Sequence, residues 1–267
     1  VNTNSINPKN IKIYGHGGKS LPLLNSDTQS YDMIENTIQV IGEDDFTFND
    51  DDYILMYAIG PKKYNSDNNS HINPYSDDAF YYLNISSGNG SRMNLATEPN
   101  TAANVTFETF HDYKFVESDE YNIAKLGRRW FGHRFYVENT REFNFDFPNI
   151  ITSSPINLKV YVAATSESNT SMSLKLNGSE VNNFSFSSID SQLLASEDSF
   201  NELLNISSST VSVELNYNNN GNPSASAYLD YISIEAERSL ISLGTQFEFK
   251  HKNSAILSGV GAFIISN

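Results

Sequence analysis

The sequence has no cysteine among its 267 residues. That absence excludes disulfides, zinc–thiolate and iron–sulfur sites, and any cysteine nucleophile within these residues. Basic residues are scarce: 17 Lys+Arg against 32 Asp+Glu leave a formal net charge of −15 and a pI near 4.6. Nucleic acids are held mainly through Lys and Arg, so they are excluded as partners, and an anionic membrane surface is disfavoured for the same reason. No stretch approaches the ~20 consecutive apolar residues of a membrane-spanning helix. The opening Val1-Asn2-Thr3-Asn4-Ser5 lacks signal-peptide architecture, so the chain is expected to be a mature, soluble piece of something longer. Helix signals are sparse. Asp198-Ser199 followed by Phe200, Leu203 and Leu204 fits a cap and two turns, and residues 120–126 fit another short helix.

What is present is an aromatic-rich alternation of period two. Seventeen Phe and fifteen Tyr supply large buried areas and offset a low aliphatic count. Ile156, Leu158, Val160 and Val162 alternate with polar or half-polar neighbours. So do Met172, Leu174 and Leu176, which run into an Asn177-Gly178 turn. Phe143, Phe145 and Phe147, then Val211, Val213, Leu215 and Tyr217, then Phe247 and Phe249 repeat the pattern. Strands with one apolar and one polar face form antiparallel sheets that pack in pairs. The expected fold is therefore mostly β: an antiparallel, jelly-roll-like β-sandwich in the second half and a smaller, irregular β-rich unit in the first. Residues 11–14, 52–59, 80–85 and 105–110 read as strands of that first unit, with 52–59 apolar enough for burial on both faces. The expected division is 1–112, a connecting segment 113–142, and a sandwich domain 143–267.

Several groups of residues carry candidate chemistry. Residues 42–52 hold six carboxylates in eleven positions, and hard cations such as Ca²⁺ take six to eight oxygen ligands. The EF-hand spacing is absent, and the stretch reads rather as a solvated turn than as a cation site. Asp230, in Tyr228-Leu229-Asp230-Tyr231-Ile232, is placed by strand alternation on the otherwise apolar face of Ile232 and Ile234. A carboxylate there needs hydrogen bonds, an ion pair or a metal. Asp44, Asp45, Asp50 and Asp230 are thus the candidate ligands of a structural Ca²⁺; no cofactor is required. Gly15-His16-Gly17-Gly18 lacks P-loop spacing and reads as a tight turn using Gly for positive φ. The five histidines show no metal-binding spacing and Gly-x-Ser-x-Gly is absent, so this chain is not expected to be an enzyme. Residues 127–135 concentrate Arg128, Arg129, Arg134 and Trp130 in an acidic chain. That composition suits an interface anchor or a sugar-stacking platform; equally, Trp130 plugs a seam while the arginines neutralise nearby carboxylates.

Longer strings resemble a known family. Ile13-Tyr14-Gly15-His16-Gly17-Gly18, Glu35-Asn36-Thr37-Ile38-Gln39-Val40, Asp52-Tyr53-Ile54-Leu55-Met56-Tyr57-Ala58-Ile59-Gly60-Pro61 and Tyr75-Ser76-Asp77-Asp78-Ala79-Phe80-Tyr81-Tyr82 are similar to the region upstream of the catalytic domain in the PorU family. Those proteins are the gingipain-like (C25) cysteine peptidases that act as sortases of the type IX secretion system in Bacteroidota. Residues 127–135, 217–223, 228–232 and 259–267 resemble the same region. The resemblance implies a parent at the outer-membrane cell surface that removes C-terminal signals from secreted cargo and joins the cargo to anionic lipopolysaccharide. It implies a downstream caspase-like peptidase domain as partner, with secretion-system outer-membrane components or the cargo signal as further partners. It assigns no catalytic residue to this chain. The rival expectation is a carbohydrate-binding jelly-roll module or a purely structural spacer.

Overall fold

The computed structural model describes residues 3–22, 24–27, 32–125, 127–190 and 193–266. Val1, Asn2 and Asn267 at the ends, and Leu126 at the close of the expected 120–126 helix, lie outside the described residues. The chain divides into two compact units, Val1–Glu98 and Pro99–Asn267. The division falls earlier than expected from the sequence. Residues 113–142, expected as a connector, contribute strands to the second unit: 113–117 and 132–135 pair with its longest strand and 140–142 with a strand of the facing sheet. Helices among the described residues are short 3₁₀ turns only.

The first unit contains β1 (Ile11–Tyr14), β2 (Glu35–Asn36), β3 (Gln39–Ile41), β4 (Tyr53–Leu55) and β5 (Tyr82–Ile85). They form an antiparallel sheet in the order β2-β1-β5 and a β3–β4 hairpin. Alternation in β1 buries Ile11 and Ile13, which join Ile38 and Val40 in a small core lined by Phe48, Ile54 and Met56. The 52–59 run is not buried on both faces. Only Tyr53–Leu55 is strand, and Tyr53, Leu55 and Tyr57 are exposed, because one hairpin partner cannot cover them.

The glycine turn after β1 is structural, as its sequence suggested. Gly17 has φ +70°, the Gly18 N–H donates to the Ile59 carbonyl at 2.9 Å, and the Tyr81 hydroxyl accepts from the Ile59 N–H at 2.7 Å. A Cβ on Gly18 would lie 2.2 Å from the Pro61 nitrogen, so the two loops meet only because the side chain is absent. Gly18→Ala is expected to lower the denaturant-unfolding free energy by about 1–3 kcal/mol. Gly60→Ala, where an added Cβ meets nothing within 4 Å, should stay within about 0.5 kcal/mol of the parent.

The second unit is an antiparallel β-sandwich. Its strands are β6 (Val105–Phe107), β7 (Thr109–Glu117), β8 (Gly132–Phe135), β9 (Thr140–Asp146), β10 (Ile156–Thr165), β11 (Thr170–Leu176), β12 (Ser179–Phe186), β13 (Ser196–Leu204), β14 (Thr210–Asn218), β15 (Ser226–Ser239) and β16 (Gly261–Phe263). One sheet runs β13-β10-β15-β7, with β8 also on β15; the other runs β12-β11-β14-β9. Beside them, β16 pairs in parallel with β6. The inward residues of β10 and β15 meet Met172, Leu174, Val213, Leu215, Phe184 and Phe145 from the opposite sheet in one dry core. Each such side chain contributes about 1.5–3 kcal/mol of transfer free energy. β11 and β12 are joined by Asn177 (φ 48°) and Gly178 (φ 80°), the positive-φ pair that a tight hairpin demands. Two expectations fail here. Ser196–Leu204 is an edge strand on β10 rather than a helix, because the open edge of β10 supplies a full ladder to it. Phe247 and Phe249 are not in a strand; they stack on each other beside Phe110 and Phe263.

Candidate functional site

The site grows from one extra residue in β15. In the ladder with β10, Tyr231 opposes Tyr161 and Leu229 opposes Val162, so Asp230 is a bulge with no partner of its own. On the other edge of β15, β7 ends at Glu117 opposite Tyr231 and β8 begins at Gly132 opposite Leu229. Asp230 therefore sits at the gap between the two strands. The bulge shifts alternation by one residue, which corrects the face expected from sequence. Leu229 and Ile232 both point into the sandwich core, and Asp230 turns to the outer face, where Tyr228 packs with Phe131.

The loop 118–131 spans that gap. Its ends are drawn together: a Cβ on Gly132 would lie 2.7 Å from the Ser118 carbonyl oxygen, and Tyr121 and Phe131 exchange backbone hydrogen bonds of 2.8 and 2.9 Å. From this loop Arg129 reaches Asp230 Oδ2 at 3.1 Å and Glu197 at 3.4 Å, and its guanidinium lies 5.3 Å from the Phe131 ring centre. Asp230 is only 3% exposed. Burial raises its pKa from the ordinary 3.8 to about 7; Arg129 opposes the rise, while Glu117, Asp119 and Glu197 add to it.

Of the residues selected from sequence, the fold brings Arg129 and Asp230 together. Arg134 donates to the Ser226 hydroxyl at 2.8 Å and lies over Tyr136. Arg128 is exposed. Trp130, 37% exposed, lines a shallow cleft of about 400 Å³ with Asn122, Lys125 and Gly127. Asp44, Asp45 and Asp50 belong to the first unit and Asp230 to the second. There the carboxylates shape their own turn: Asp45 accepts from the Thr47 N–H at 2.9 Å and from Asn49 Nδ2 at 2.8 Å. Glu43 pairs with Arg92 at 2.7 Å, Asp44 lies 4.0 Å from Lys9, and Asp50 is exposed. Among the described residues no three His, Cys, Asp or Glu side chains are grouped as ligands of one metal ion.

A second polar cluster had no sequence signal, because its members come from distant strands and turns. Glu237 accepts from Thr109 Oγ1 at 2.6 Å and Ser154 Oγ at 2.5 Å, and these hydrogen bonds lower its pKa. Glu235 pairs with Lys252. The rings of His111 and His251 lie 4.8 Å apart, and burial, then His251 and Lys252, lower the pKa of His111. These contacts pin residues 250–254 onto the outer face of the sheet, where the His111 N–H donates to the Lys250 carbonyl at 2.7 Å. The arrangement is an anchor for a chain segment.

No protein-family model matches this chain, and no curated protein matches it. Its fold is shared with part of a larger solved protein. Dimeric latent PorU from Porphyromonas gingivalis superposes with a TM-score of 0.73 at 22% identity, covering 97% of this chain and 24% of the PorU chain. The chain thus has a PorU-like, mostly β fold and spans about a quarter of that protein's length. A CBM36 domain of a multidomain xylanase from the hindgut metagenome of Trinervitermes trinervoides (TM-score 0.31, 14% identity) covers 46% of this chain and 96% of its own. A CBM36 module in complex with calcium and xylotriose (0.30, 15%) covers 46% and 98%.

Proposed function

We propose that this chain is the non-catalytic, N-terminal region of a PorU-like type IX secretion sortase, supporting and orienting a caspase-like cysteine peptidase domain of the same polypeptide. The observation that carries the reading is the likeness to PorU across 97% of the chain. The missing cysteine fits it, since a thiol peptidase must then keep its nucleophile elsewhere. The reading puts the parent on the extracytoplasmic, outer-membrane surface, with cargo signals and secretion components as its contacts. No helix among the described residues is long and apolar enough to cross a membrane.

The test compares this chain, the whole polypeptide and the polypeptide lacking these residues, each assayed for cleavage of a cargo C-terminal signal. The chain alone is expected to be inert and the shortened polypeptide strongly impaired. Turnover by the chain alone overturns the reading. The half-exposed ring of Trp130 beside a polar cleft is the observation favouring sugar binding instead. Glycan binding lost on Trp130→Ala would support that rival.

A further inference from the structure

The sheet order β2-β1-β5 leaves β5 at an edge: Tyr82–Ile85 pairs with Ile11–Tyr14 on one side and with no strand among the described residues on the other. Edge strands expose unpaired N–H and C=O groups, and folded proteins guard them with charge, proline or bulges. The outer strands of the two sandwich sheets, and β2 on the far side of β1, follow that rule, whereas the three-residue strands of the two-stranded pairs are guarded only by being short. β13 carries Glu197, Asp198 and Glu202, β9 carries Arg141, Glu142 and Asp146, β12 carries Glu180, and β2 carries Glu35. β5 reads Tyr-Leu-Asn-Ile, with no charge, no proline and no glycine. Tyr82, Leu83 and Ile85 are 52%, 57% and 46% exposed. Leu83 and Ile85 stand opposite Ile13 and Ile11, which are buried in the core of this unit. A strand added beyond β5 would extend that apolar layer by one row while satisfying the free backbone groups.

We propose that the open edge of β5 receives one extended segment from the remainder of the parent polypeptide, adding a fourth strand to the sheet. The inference rests on the proposed function and deepens it by naming the surface through which this region holds its neighbour. The occupant is uncharged and apolar at alternate positions, so that one face covers Leu83 and Ile85 and the other lies beside Tyr82. Length supplies a source: the chain covers 24% of the PorU chain it resembles, leaving most of such a protein to provide the strand. Area favours an intramolecular partner over a second copy. Four strand residues span about 13 Å, far less contact than the roughly 1,200–2,000 Å² of a stable interface between separate proteins. Tethering raises the effective concentration to about the millimolar range, where so small an edge suffices.

The experiment is amide hydrogen exchange at residues 82–85, in the isolated chain at several concentrations and in the whole polypeptide. In the chain, the amides of β5 that do not bond to β1 should exchange freely at every concentration. In the whole polypeptide the same amides should slow by about tenfold or more. Leu83→Lys in the whole polypeptide should return them toward the free rate, with the melting temperature of the isolated L83K chain unchanged because Leu83 is exposed there. Equal exchange in both forms, with a Cys–His peptidase domain present, overturns the inference and leaves the proposed function standing. Protection that grows with the concentration of the isolated chain assigns the edge to a second copy and also overturns it. A whole polypeptide without such a domain overturns the functional reading itself.

Discussion

Replacing Asp230 with Asn should stabilise the protein at pH 8 by about 1–3 kcal/mol, an outcome contrary to the usual effect of altering a buried residue. The bulge holds this carboxylate almost out of water, with Arg129 as its one cation and Glu117, Asp119 and Glu197 nearby. Its pKa in the fold, about 7, stands above the ordinary 3.8. A raised folded pKa means that the native state holds the proton more tightly. The stability this contributes is complete below pH 3.8 and is lost as pH rises through 7, roughly 4 kcal/mol over the interval at 1.36 kcal/mol per unit. Asn keeps the shape and one acceptor for Arg129, which retains Glu197 at 3.4 Å. The charge that is expensive to bury is gone. His111 and His133, both lowered chiefly by burial, act in the opposite sense and lose stability as pH falls below 6.5. The difference between parent and variant cancels them. Urea unfolding at pH 5 and pH 8 is the measurement: the stability of the variant relative to the parent should be about 2–3 kcal/mol higher at pH 8 than at pH 5. A variant less stable than the parent at pH 8 would refute the account of Asp230 as an unwillingly ionised group.

Phe135→Ala should cost about 3–5 kcal/mol. Phe135 is fully buried in the sandwich core, at the end of β8 where that strand meets Ala227 of β15. Its removal leaves a cavity that rigid neighbours on two sheets cannot fill. In a unit of this size the loss should lower the melting temperature by roughly 10 °C. Leu203→Ala removes an apolar side chain on exposed β13 and should stay within about 0.5 kcal/mol of the parent. Calorimetry on both variants checks where the core lies. Similar losses at the two positions would contradict the sandwich described above.

Much of the second unit was legible because both its sheets bury one face, so that period-two alternation in β10, β11 and β14 is written directly into the residues. The Asn177-Gly178 turn was legible for an equally local reason, since few residues adopt positive φ without strain. The misreadings share another cause. Phe200, Leu203 and Leu204 have helical spacing, but they belong to a strand whose ladder on β10 outweighs local preference. The apolar run after Asp52 looked deeply buried, yet it meets one short partner strand. Residues 113–142 looked like a connector because the strand that β7 and β8 pair with, β15, lies far along the chain, with Phe135 opposite Ala227 and Glu117 opposite Tyr231.

The same distinction governs the site. Composition selected the arginines around Arg129 and strand alternation selected Asp230, and the missing cysteine alone removed thiol catalysis from this chain. Only the tertiary structure decided that the two face each other. A single bulged residue reverses which side of the sheet Asp230 occupies, and no pattern along the chain reports it. The encounters of His111 with His251, and of Glu237 with Thr109 and Ser154, were likewise settled by strand pairing. Alternation is a property of neighbours in sequence; register and contact belong to neighbours in space, and folding alone brings those together.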